Sequence, residues 1–98
     1  MHRNRNYNEE LSRRLQHPPY ARTFLTALME GKEGLSLEEA LRQTIEIIGI
    51  KEFSEQSNMP SSNLVAFVKG RRRLKPETLN QLLQPFHLRT KLILEQAS

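Results

Sequence analysis

Residues 57–79 read SNMPSSNLVAFVKGRRRLKPETL, and the fold turns on how this stretch is punctuated. Asn58 tolerates the positive backbone angle of a tight turn, and Pro60 stops a preceding helix from running on. A helix starting at Pro60 or Ser61 would then point Leu64, Phe67 and Val68 to a core at spacings of three and four, until Gly70 ends it. The next helix opens at Pro76 and carries Leu79, Leu82 and Leu83, before Pro85 breaks or kinks it ahead of Phe86 and Leu88. Arg71, Arg72 and Arg73 are therefore held between two helices and do not hang on a loose tail.

Upstream, the same signals predict further helices. Residues 51–57 make a short helix with Phe53 and Ser57 inward. Before it, Ser36 and Glu39 have capping-box spacing, and Leu37, Ala40, Leu41, Thr44, Ile45 and Ile48 fall on one face up to Gly49. Pro18 and Pro19 fit only the first turn of a helix whose buried stripe is Phe24, Leu25 and Leu28 and whose left-handed stop is Gly31. A short first helix is expected with Asn6 as its cap and Tyr7, Leu11 and Leu15 along one face. Residues 90–96 fit either a helix capped by Thr90 or a strand, because Leu92, Ile93 and Leu94 lack a decisive period. The expected class is all-α, a compact domain of five or six helices. Its parts are an amino-terminal arm or short helix (1–16), a helix and connector (17–35), a helical unit around the short pair (36–88) and a carboxyl-terminal segment (89–98).

Composition narrows what such a chain does. With no cysteine, thiol catalysis, disulfide frameworks and cysteine zinc sites are excluded. The longest apolar runs are too short to span a bilayer and no signal-peptide pattern opens the chain, so a cytoplasmic protein without a membrane role is expected. His2, His17 and His87 are scattered, and Glu52 with Glu55 reads as a solvated face, so neither enzyme activity nor a cofactor is expected. The formal net charge is +4, unevenly placed. Residues 17–60 carry four bases against seven acids, whereas residues 61–98 carry seven against two. Such a distribution fits two electrostatically different surfaces, enough for two kinds of partner, and equally fits unevenly charged solvated helix faces.

The run Phe53, Ser54, Asn58, Met59, Leu64, Phe67, Val68, Gly70 and Pro76-Glu77-Thr78-Leu79 resembles the helix-turn-helix of the lambda-repressor and Cro-like superfamily. In that pattern a small residue, here Ser54, lets two backbones approach. The turn position, most often Gly, is Asn58. Further upstream, YNEELSRRLQHPPYARTFLTALMEG and EEALRQTIEIIG are similar to the antidote proteins of bacterial addiction modules, the antitoxins of the host-inhibition-of-growth type. The resemblance implies a transcriptional repressor that binds a double-stranded operator, neutralises a small toxin and regulates its own operon.

If residues 61–69 lie in a major groove, Ser61, Ser62 and Asn63 reach base edges or phosphates, with Asn63 the best candidate for adenine readout. Val65 and Ala66 would pack on thymine methyl groups, and Lys69, Arg71, Arg72, Arg73 and Lys75 would grip phosphates. One short helix is too little for selectivity, so a homodimer on paired half-sites is expected. A basic toxin would dock on the amino-terminal helices or on the acidic surface with Glu30, Glu33, Glu38 and Glu39. Two alternatives stay open: a plain phage- or plasmid-type repressor with no toxin, and a helical adaptor whose basic loop never meets DNA.

Overall fold

The computed structural model describes residues 8–71 and 74–90. They form α1 (Glu9–Leu15), α2 (Pro18–Met29), α3 (Leu37–Ile48), α4 (Ile50–Ser57), α5 (Ser61–Val68) and α6 (Pro76–Leu83), with a closing 3-10 turn at Gln84–Phe86. The protein is all-α, with no strand among the described residues. The expected placements of Tyr7 and of residues 91–96 lie outside the described residues.

The cap of α1 is corrected from Asn6 to Asn8, whose Oδ1 accepts the Leu11 N–H at 2.9 Å. Two asparagines two positions apart offer the same chemistry, and Asn8 puts both Glu9 and Glu10 in the first turn, where the helix dipole favours them. Ser12 then faces inward, donating its hydroxyl to the Ile48 carbonyl at 2.5 Å and tying α1 to the last turn of α3. Pro18 and Pro19 open α2 as expected. Its carboxyl end turns through Gly31, at φ +86°, and Gly34. At Gly34 a Cβ would lie 2.1 Å from the Met29 carbonyl oxygen, so only glycine lets the connector fold back this closely.

Helix α3 is the spine. Ser36 Oγ accepts the Glu39 N–H at 3.2 Å to start it, and α1, α2, α4 and α5 all pack on it. Gly49, buried and at φ +105°, is at once its last cap and the first cap of α4, so the chain turns a corner in one residue. That is why α4 begins at Ile50, one residue earlier than the sequence suggested. Asn58 takes the left-handed conformation (φ 56°, ψ 28°) and Pro60 precedes α5. Leu64 and Phe67 are buried, whereas Val68, expected in the core, is half-buried at the margin. Pro85 converts the end of α6 into the 3-10 turn, which seats Phe86 against Phe53 with ring centroids 5.9 Å apart. The same turn packs on α2, where Arg22 Nη1 donates to the Phe86 carbonyl at 3.2 Å.

The corner residue gives the first test. Asn58→Ala should lower stability by about 1 kcal/mol, because alanine lacks the local polar compensation that lets asparagine sit in the left-handed region. Asn58→Gly should match or exceed the parent. Urea unfolding of the three proteins reads the order directly; an alanine variant as stable as the glycine one would refute the reading of this turn.

Candidate nucleic-acid interface

The pair α4–α5 is fixed at its corner by short hydrogen bonds. Ser54 Oγ donates to the Met59 carbonyl at 2.6 Å, and Ser57 Oγ donates to the Phe53 carbonyl at 2.8 Å while accepting the Met59 N–H at 3.3 Å. Met59 itself is buried. From α6, Gln81 Nε2 reaches the Ser57 carbonyl at 3.4 Å and occupies an acceptor at the end of α4. Two helices of eight residues each are too short to hold themselves, so these ties and the core set the angle between them.

Along α5, Ser61, Ser62 and Lys69 are exposed, with Val65 and Ala66 half-exposed between them. These side chains make one outward strip with no charge until Lys69. Pro60 supplies no side-chain cap, so the helix begins with its first N–H groups turned outward. Asn63 sits differently. It is half-buried on the flank of α5, where it lines a groove of about 260 Å³ with Met59, Phe67, Leu74, Lys75 and Thr78 from the start of α6 and its approach.

The basic loop begins as the terminus of α5. Gly70, at φ +71°, donates its N–H to the Phe67 carbonyl at 2.9 Å, and Arg71 donates its N–H to the Ala66 carbonyl at 2.9 Å. This crossed pair is a Schellman motif, so the backbone of Arg71 is part of the helix terminus while its side chain is exposed. Lys75, which precedes α6, is exposed too. Arg72 and Arg73 lie outside the described residues.

Arg42 of α3 was not legible as a site residue. Its Nε donates to the same Phe67 carbonyl at 3.2 Å, filling the second lone pair, and its guanidinium lies 5.4 Å from the centre of the Phe67 ring. Its Nη2 meets Glu38 at 3.5 Å. In sequence, Glu38 and Arg42 read as an ordinary helical i,i+4 pair, which hides the second job. Of the acidic group, Glu30, Glu33 and Glu39 are exposed, whereas Glu38 is half-buried beside Arg42. Among the described residues no three His, Asp or Glu side chains gather as a metal ion would require. Among the same residues no helix is long and apolar enough to cross a membrane.

No protein-family model matches the chain, and no curated protein or solved structure matches it either.

Arg42→Met should cost about 1 kcal/mol of stability, the scale of one lost hydrogen bond from a charged donor in a partly exposed place. Arg42→Lys should recover only part of it, since an ammonium cannot stack and donate in the same geometry. Amide exchange at Gly70 and Arg71 should quicken in both variants. Unchanged exchange there would remove Arg42 from any role in holding the end of α5.

Proposed function

We propose that the protein is a sequence-specific DNA-binding transcriptional repressor of the cytoplasm, working as a homodimer on a double-stranded operator and serving as the antitoxin of a small basic toxin. The observation that carries the DNA half is α5 with its surroundings. An outward strip of small, uncharged side chains is set between an uncapped amino terminus and a carboxyl terminus that holds Arg71 in a fixed backbone geometry. A strip of this kind can approach a groove without desolvating charge, and cations at its margin suit phosphates on either side. Ser62, Val65 and Ala66 face the bases in this reading, and Ser61 meets a phosphate or base edge. Asn63 reads from the flank. Lys69, Arg71, Arg72, Arg73 and Lys75 hold the sugar-phosphate backbone.

The toxin half rests on the resemblance of the sequence and on the exposed carboxylates Glu30, Glu33 and Glu39, which sit on the connector and the first turn of α3. Glu38 stands beside them with one carboxylate oxygen 3.5 Å from Arg42 Nη2.

Salt titrations separate clamp from reader. Arg71→Ala, Arg72→Ala and Arg73→Ala should each weaken binding to operator and scrambled duplex alike, and lower the log-log salt slope by roughly 0.9 per lost phosphate contact. Asn63→Ala should leave that slope nearly unchanged and cost about 1–3 kcal/mol on operator alone. If none of the four changes affinity for any duplex, the DNA reading is wrong.

A second measurement addresses the toxin. Co-expression with a toxic neighbouring small open reading frame should restore growth, and neutralising Glu30, Glu33, Glu38 and Glu39 together should abolish the rescue. Rescue that survives this change shows the acidic group is not the docking surface.

A further inference from the structure

A second uncharged strip lies on α2, and nothing in the DNA reading uses it. Pro19, Tyr20, Thr23, Thr26 and Ala27 are all exposed, and at helical spacing they share the side opposite the buried Ala21 and Leu25. Tyr20, at 41 % exposure, is one of two large apolar side chains left so open among the described residues, and the other, Met29, is on the same helix. Both threonine hydroxyls are turned into their own helix. Thr23 Oγ1 donates to the Pro19 carbonyl at 3.1 Å and Thr26 Oγ1 to the Arg22 carbonyl at 2.9 Å, so these side chains present methyl groups to solvent. The single charged residue of α2, Arg22, is drawn away to the Phe86 carbonyl.

We infer that this face of α2 is where two copies of the chain associate. Charge selects the occupant. A chain with net charge +4 repels its copy wherever cations meet, and a strip with no charge is a place where two copies can touch without that penalty. A basic partner would instead be drawn to the exposed carboxylates of the connector. The strip on α5 is also neutral but ends on Lys69 and Arg71, which oppose self-association and favour a polyanion.

Shape agrees with a two-fold contact. With Thr23 at the middle of the strip, an antiparallel copy sets the Tyr20 ring of each chain over the small side chains Thr26 and Ala27 of the other. Large meets small twice, as an isologous contact requires. The helix has 12 residues, about 18 Å of length, so the contact falls well short of the roughly 800 Å² per partner of a standard interface. The dimer is therefore weak and concentration-dependent when free, and two copies on neighbouring half-sites would reinforce it. Only this last consequence rests on the DNA reading; the α2 contact does not.

Sedimentation equilibrium of the full chain, from about 10 µM to about 1 mM, covers the range of weak association. The average mass should climb from 11.5 kDa toward twice that value. Thr23→Glu places like charges face to face at the two-fold, and Tyr20→Glu sets an unpaired carboxylate against the Thr26 and Ala27 side chains; each should reduce the association constant by about tenfold or more. Gln43→Ala, at an exposed uncharged position on α3 away from the strip, serves as the control and should leave it unchanged. All of these positions are exposed, and the circular dichroism of each variant should match that of the parent. A monomer throughout the range would overturn the inference, as would a dimer that neither glutamate weakens. Dimerisation through α2 without operator binding would leave this inference standing and sink the DNA reading, while operator binding by a strict monomer would do the reverse.

Discussion

Five side chains of α3, those of Ala40, Leu41, Thr44, Ile45 and Ile48, are fully removed from water, and every other arrangement in the protein follows from sheltering them. Burying each large aliphatic side chain contributes about 2 kcal/mol, more than one helix cap or surface ion pair supplies. Four helices are needed to cover that face. Helices α1 and α2 pack on α3 along with α4 and α5, and the 3-10 turn closes the open side between α2 and α4. The position of α5 is thus a property of the spine and its neighbours.

Beyond α3 the chain changes character. Helices α4 and α5 and the closing 3-10 turn end on left-handed residues, at Asn58, Gly70 and His87, and α4, α5 and α6 have eight residues each. Helices this short carry little stability of their own. They are held by bonds that reach across elements: Ser54 to Met59 within the corner, Gln81 to Ser57 from α6, and Arg42 to Phe67 from the spine. Phe67 has a double role, its ring packed in the core and under the guanidinium, its carbonyl shared by Gly70 and Arg42. Any movement of α3 relative to α5 is felt at the place where the basic loop begins.

Much of this was legible in the sequence because it is local chemistry. Ser36 and Gly49 bound α3, Asn58 and Pro60 mark the corner, and Pro76 starts α6, each through a backbone requirement that a few neighbours determine. The Asn6 cap failed for the same reason the others succeeded: two equivalent caps stood within three residues, and only the tertiary seat of Ser12 on Ile48 decides between them. What stayed hidden depends on contacts between distant residues. Arg42 looks like half of a surface pair, Gly34 looks like a loop glycine, and the flank position of Asn63 follows from where α6 returns. In the candidate interface, the exposure of Ser61, Ser62 and Lys69 agrees with the helical periodicity and that of Arg71 and Lys75 with their place between helices, whereas the second acceptor bond that secures the helix end had no local signal.

The bond from Arg22 to the Phe86 carbonyl joins positions 64 residues apart. Chains are made from the amino end, and a domain folds as a unit once its parts are present. On the ribosome, α2 and α4 emerge well before the turn that closes the side between them, and Phe53 waits for Phe86. Until that turn is made, the nascent chain shows the cell an unfinished core. Its window of exposure to proteases is set by the time needed to translate from α3 to Phe86, a span that lengthening any loop between them would widen.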